Sequence, residues 1–324
     1  MSRTVVIAGA SSGIGLATAL AFARQGAELF LLSRRADAIE EAAHACREQG
    51  ARLAVGVAGD VADAETMRDL AERAIAETGR LDIWINMAGV GAIGRFEDVP
   101  IEVHRKVIET NLIGAMNGCH AVLPHLLRRG GGVIVNMASI GARLPQPFAT
   151  AYTASKWGLA GFTDALRHEV LARSRVQVCG VYPTVVDTPA TLHAGNWTGR
   201  VLESMPPALS PNHVAAAILH LVDHPRRALN LGIEHLAVPG YWLMPEIAGR
   251  VMGHMTQRTF YEGGRRGAPA TAGALLAPVP EGRIVSSGQA SAARQRIAAG
   301  AAAALGLAAV AGLLIAGRRA AHHA

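Results

Sequence analysis

Lysine is nearly missing from this 324-residue chain: Lys106 and Lys156 stand against 29 arginines. Cysteine is scarce too. Cys46, Cys119 and Cys179 have no metal or redox spacing, which excludes a cysteine-built metal or redox centre and suits a reducing compartment. Net charge is absent where a nucleic-acid binder would need it. Residues 1–262 carry 24 basic and 24 acidic side chains, so the formal +6 resides in residues 263–324, which have seven Arg and one acid, Glu281. The sequence pI of about 9.8 therefore belongs to the tail, and the globular part is not expected to bind nucleic acid. The opening stretch, Met1 to Gly9, has no secretory apolar region and runs straight into a strand pattern, so the folded part is expected to stay in the cytoplasm. No tandem repeat is present.

What the chain does have is alternation. Apolar strand-like runs at Thr4–Ala8, Glu28–Ser33, Arg52–Val57, Leu81–Asn86, Gly132–Ala138, Val176–Tyr182 and Asn230–Ala237 are separated by helical patterns, among them Gly13–Gln25, Asp63–Thr78 and Ala151–Ala172. Strand and helix in turn give an α/β fold with a doubly wound parallel sheet. Half the residues are hydrophobic, enough for a sizeable core in a single domain spanning 1–262.

Two stretches carry chemistry. The first strand-to-helix turn reads Gly9-Ala10-Ser11-Ser12-Gly13-Ile14-Gly15. Glycines there let the backbone approach a pyrophosphate, and the helix N-terminus offers N–H donors. The spacing, Gly-x-x-x-Gly-x-Gly, departs from the general dinucleotide fingerprint. The second stretch runs from Ser139, at the carboxyl end of a buried strand, to Tyr152 and Lys156, which are four apart and so share a helix face. A hydroxyl, a phenol and an ammonium can converge there. A phenol titrates near pH 10, too high for efficient proton transfer at neutral pH, and an adjacent ammonium is expected to lower it. That a lysine stands there in so arginine-rich a chain fits this use, since a guanidinium could not play the part as compactly.

In order and spacing these motifs resemble the classical short-chain dehydrogenase/reductase family over about residues 3–240. The resemblance implies a Rossmann-type doubly wound parallel sheet and an NAD(P)-dependent oxidoreductase. It matches Gly9, Gly13 and Gly15, with Ser11, Ser12 and Ile14 between them, to the cofactor turn, and Asp60-Val61 to the adenine-contacting pair. Asn86, Ala88 and Gly89 belong to the family's Asn-Asn-Ala-Gly stretch, with Met87 a departure placed outside the direct chemistry. Asn111, Ser139, Tyr152 and Lys156 match the catalytic tetrad. There Tyr152 is the acid–base, Lys156 lowers its pKa and binds the ribose, Ser139 orients the substrate oxygen and Asn111 supports a water-linked proton path. Pro183 matches the Pro-Gly motif, although Thr184 replaces the glycine. Val186 and Thr188 follow it in the nicotinamide-contacting loop.

At the end of the second strand, enzymes of this class that use NAD place an acid for the ribose 2′-hydroxyl. This chain has Ser33-Arg34-Arg35, a set that suits a phosphate dianion, so NADP(H) is expected over NAD(H). The substrate loop, about Val185–Met205, offers Leu192, Trp197, Val201, Leu202 and Met205, and neighbouring loops offer Val90, Ile93, Ile140, Leu144 and Phe148. Few charges accompany them (Arg95, Arg143, Asp187, His193, Arg200), which leans towards a lipophilic carbonyl or alcohol.

Past the family core, Val238–Glu262 reads as a helical extension packed on the domain or on a partner subunit of a homo-oligomer. Gly263–Arg296, rich in Gly, Ala, Pro, Ser and Arg, reads as a flexible linker. Ile297–Gly317 is a 21-residue uncharged run between arginines, long enough to span a bilayer as a hydrophobic helix and to anchor the domain at a membrane. Two functional classes follow: an NADP(H)-dependent oxidoreductase, and a membrane-tethered NADP(H)-binding regulatory or scaffold protein without turnover. The complete tetrad favours the first, because a binding module has no chemical need for Tyr152 and Lys156 together.

Overall fold

The computed structural model describes residues 2–202, 208–263 and 266–277. Seven strands form one parallel sheet: β1 (Thr4–Ala8), β2 (Glu28–Ser33), β3 (Leu53–Ala58), β4 (Ile83–Asn86), β5 (Gly132–Met137), β6 (Val176–Pro183) and β7 (Ala228–Leu231). Their order is β3-β2-β1-β4-β5-β6-β7, so the chain reverses direction across the sheet between β1 and β4. Ligands of such sheets bind at that switch point, beyond the carboxyl ends of the strands.

The β1 residues show why the layers form. Val5 and Ile7 point to one face, where they meet Phe22, Ile39 and Ile218; Val6 and Ala8 point to the other, against Met67, Val122 and Leu126. Side chains alternate with period two, and both faces are apolar, so each face recruits its own helices. Helices α1 (Gly13–Ala23), α2 (Ala36–Glu48) and α7 (Pro211–Asp223) cover the first face. Helices α3 (Ala64–Thr78), α5 (Gly114–Arg129) and α6 (Thr150–Leu171) cover the second. Local signals set the ends: Asp63 accepts from the amides of Glu65 and Thr66 at the start of α3, and Gly79, at φ 74°, ends it.

Between α4 (Ile101–Ile108) and α5 the helix runs through a π-turn, Glu109–Ile113. The last strand lies earlier than its sequence signal suggested. Residues Ile233–Ala237 form a 3₁₀ turn instead, because Gly232, at φ 110°, ends the extended run.

The extension forms two helices, α8 (Val238–Leu243) and α9 (Pro245–Gln257). It touches the domain through Trp242 against Trp157 and Tyr261 against Phe148, while Leu243, Ile247, Val251 and Met255 remain exposed. The linker expectation is corrected over residues 266–277. There Thr271 pairs with Asn196, Arg266 pairs with Arg200, and the Leu275 side chain is fully buried. Backbone bridges and a single apolar plug hold this strap, and neither leaves a periodic sequence signal. The apolar run Ile297–Gly317 lies outside the described residues. Among the described residues, no helix is long and apolar enough to cross a membrane.

Candidate active site

A cleft of about 560 Å³ opens at the carboxyl edge of the sheet. The β1–α1 turn forms its floor. A Cβ at Gly15 would lie 1.9 Å from the Gly9 carbonyl oxygen, so the helix start can close on the strand end only without one. That contact brings the backbone of Ser11, Ser12, Gly13 and Ile14 to the cleft wall, at the N-terminus of α1. Thr188, from the loop after β6, packs across Gly13 and lines the cleft with Pro183, Thr184 and Val186.

Ser139 follows β5, and its Oγ accepts from the Gly141 amide at 3.1 Å. Tyr152 and Lys156, on the first turns of α6, also line the cleft. The Tyr152 phenol is hydrogen-bonded to Ser139. Lys156 Nζ lies 5.7 Å from the Tyr152 ring centroid and donates to the Met137 carbonyl at 2.9 Å.

One electrostatic expectation is reversed. Burial pushes the Tyr152 phenol above its ordinary pKa, and the Ser139 hydrogen bond offsets this only in part. The ammonium, expected from helical spacing to lower the phenol, is itself pulled down to about 8 by burial. Desolvation disfavours the charged form of each.

Asn111 sits in the π-turn, a placement often associated with functional sites. Its Oδ1 accepts from the Val90 amide at 2.8 Å, and its Nδ2 donates to the Val90 carbonyl and to Ser155 Oγ, each at 2.9 Å. It is buried behind the cleft and ties the loop after β4 to α6. Its side-chain amide is thus committed to the loop after β4 and to α6.

Asn86 is not brought to the cleft. It accepts from Trp84 Nε1 at 2.8 Å and donates to Asn136 Oδ1 at 2.8 Å and to the Ala115 carbonyl. Its amide is spent between β4, β5 and α5, and Met87, Ala88 and Gly89 reach the cleft in its place. Met87, placed outside the chemistry at the sequence level, is thus a wall residue.

At the far end, Ser33, Arg34, Arg35, Asp60 and Val61 complete the lining. Burial alone would raise the Asp60 carboxyl. The Ala62 amide and the Lys106 ammonium, 3.1 Å away, outweigh it and hold the group below its ordinary range. Arg34 donates to the carbonyls of Leu275 (3.1 Å) and Ala274, a contact across 240 residues that nothing in the sequence announced.

Of the apolar residues expected around the substrate, Val90, Ile93, Ile140 and Leu202 line the cleft. Trp197 packs instead with Leu275, and Arg143 stacks over Tyr182 at 4.4 Å. Met205 lies outside the described residues. Phe260 and Thr256 reach the cleft from the extension, and Ala274 from the strap.

Residues 3–198 match the family model described as short chain dehydrogenase. The chain belongs to that family. An uncharacterized oxidoreductase of Bacillus subtilis (strain 168), YxnA, is 32% identical over 256 residues, which cover 77% of this chain and 71% of that protein. A D-threitol dehydrogenase of Mycolicibacterium smegmatis is 35% identical over 244 residues, 74% of this chain and 92% of that one. A solved alcohol dehydrogenase from the archaeon Thermococcus sibiricus, complexed with 5-hydroxy-NADP, superposes with a TM-score of 0.62 at 28% identity, covering 71% of this chain and 95% of that one. As a short-chain dehydrogenase, the chain is an oxidoreductase with a Rossmann-like sheet.

Proposed function

We propose that this short-chain dehydrogenase transfers hydride between NADP(H) and a lipophilic carbonyl or secondary alcohol. The observation that carries the reading is that Ser139, Tyr152, Lys156 and the Arg34–Arg35 turn all line one cleft.

The residues present fit the cofactor. The glycine turn leaves a cradle that a Cβ would fill, and the Lys156 ammonium has three donors, one of them on Met137. Its other donors suit ribose hydroxyls, and Arg34 and Arg35 suit a 2′-phosphate. NADP(H), when bound, supplies or accepts the hydride. Tyr152 Oη gives its proton to the carbonyl oxygen in reduction and takes one from the alcohol in oxidation, while Ser139 Oγ orients the same oxygen. The apolar wall of Val90, Ile93, Ile140, Leu202 and Phe260, broken by Gln146 and His193, supports a lipophilic substrate. The NADP complex of the Thermococcus sibiricus alcohol dehydrogenase supports the cofactor class.

The test is turnover. Purified full chain with NADPH should consume ketones or aldehydes, with kcat/KM rising with chain length. Binding of NADPH with no turnover across such a series would favour the scaffold reading. In the same assays Arg34→Ala with Arg35→Ala should weaken NADPH by at least about 100-fold and NADH by less than about threefold, since each of the two lost hydrogen bonds to a charged group is worth about 1.5–3 kcal/mol. Equal losses would show that the pair does not read the 2′-phosphate.

The sequence of Ile297–Gly317 supports a further reading, that the catalytic domain is held at a membrane facing the cytoplasm. The full chain should then sediment with membranes and resist high salt. Recovery of the full chain in the supernatant without detergent would end that reading.

A further inference from the structure

The strap, Arg266–Ala277, reaches the cleft from the far end of the chain. Its path is fixed by contacts that do not involve Arg34. Thr271 and Asn196 exchange backbone hydrogen bonds at 2.8 and 3.0 Å, and the Ala274 amide donates to the His193 carbonyl at 2.8 Å. Gly273 takes φ 54°, and a Cβ there would lie 2.4 Å from the His193 carbonyl oxygen, so the turn has no room for a side chain. Leu275 then enters a pocket formed by Ala92, Val99, Val103, Val107 and Trp197. With the plug seated, the carbonyls of Ala274 and Leu275 meet the two terminal nitrogens of Arg34.

We propose that this strap is part of the cofactor site: its two carbonyls fix the Arg34 guanidinium at the cleft so that it reads the 2′-phosphate of NADP(H). The inference rests on the reading that Arg34 and Arg35 recognise that phosphate. A carboxylate partner would hold the guanidinium equally well, but would cancel its charge and repel a dianion; the Asp60 carboxylate, which also acts on Arg34, is bound by Lys106 at 3.1 Å. Peptide carbonyls orient the guanidinium and leave the charge in place. They take one N–H from each terminal nitrogen, and the remaining N–H groups stay available for a phosphate oxygen. An arginine carries about 2 kcal/mol of rotamer entropy. Restricting it beforehand lowers what ordering on binding removes, and that gain goes only to the cofactor bearing the phosphate.

The readout is the ratio of NADH to NADPH dissociation constants, measured by calorimetry on the full chain. A role in packing alone would shift both cofactors together. Gly273→Val should dislodge the turn, weaken NADPH about tenfold, leave NADH within about twofold and so lower the ratio about tenfold, a loss of ~1.4 kcal/mol in selectivity. Leu275→Met, which refills the pocket, should keep the wild-type ratio. In an Arg34→Ala background Gly273→Val should cost no further NADPH affinity, since two changes acting through one contact are not additive. If Gly273→Val does not fold, Leu275→Ala carries the same expectations. An unchanged ratio, equal losses for both cofactors, or tighter NADPH in the strap variant would each overturn the proposal while Arg34→Ala with Arg35→Ala still lowers the ratio. An unchanged ratio in the arginine variant itself would remove the 2′-phosphate reading, and the proposal with it.

Discussion

Tyr152→Phe should leave NADPH binding within about twofold of the parent and lower kcat by about 10²–10⁴-fold, the usual contribution of a general acid–base. The substitution removes one oxygen and its proton and keeps the ring packed with the cluster of Ala92, Val103 and Leu275. Ser139 loses a hydrogen-bond partner but keeps the Gly141 amide at 3.1 Å, so the strand end is not released. A kcat above about a tenth of the parent value would sink the assignment of the proton to Tyr152. The pH profile adds a second constraint. Because burial holds the phenol above its ordinary pKa, it is protonated through the neutral range. Carbonyl reduction needs that proton, so its kcat should be flat across neutral pH and fall on the alkaline side. Alcohol oxidation needs the deprotonated form, so its kcat should rise with pH. The phenylalanine variant should lose both limbs.

Much of this was legible in sequence because strands buried on both faces write their own signal. β1, β2 and α3 lie within a residue of their expected places, since apolar runs and a capping Asp63 define them locally. The turn at Gly9–Gly15 and the pair Tyr152 and Lys156 were legible for the same reason: chemistry and conformation lie in one short stretch. What was not legible depends on tertiary context. Asn86 sits in a motif associated with cofactor contact, yet its amide is used between Trp84, Ala115 and Asn136, on strands and a helix far apart in sequence. The sign of the Tyr152 shift was missed because helical spacing brings an ammonium near but says nothing of the desolvation around both groups. The strap was missed because two leucines, Leu275 and Leu276, in a stretch of Gly, Ala and Pro look like linker composition. Only the pocket at Val103 and Trp197 gives Leu275 a place to go.

Lys156→Met should separate stability from binding. The ammonium is buried, and burial draws its pKa from 10.5 down to about 8. Below pH 8 it is charged in both states, and the folded state bears the full desolvation cost, of order 3 kcal/mol from the size of that shift. As pH rises from 8 to 10.5 the folded state gives up the proton while the unfolded state keeps it, so wild-type stability should rise across that window. Methionine is close in shape and never charged, so the variant should lack this slope. Its one loss is the donor to the Met137 carbonyl, worth about 1–2 kcal/mol if that oxygen is left unpaired. The cofactor-free variant should therefore be more stable than the parent by about 1 kcal/mol below pH 8, with the order reversing as the pH approaches 10.5, as thermal melts across pH would show. Its binding should move the other way. Loss of the charged donor to the ribose should weaken NADPH by about 10–100-fold, so saturating NADPH should raise the melting temperature of the parent and barely move that of the variant. A variant less stable than the parent at pH 7 that binds NADPH normally would show Lys156 to be a structural group, held for the Met137 carbonyl rather than for the cofactor.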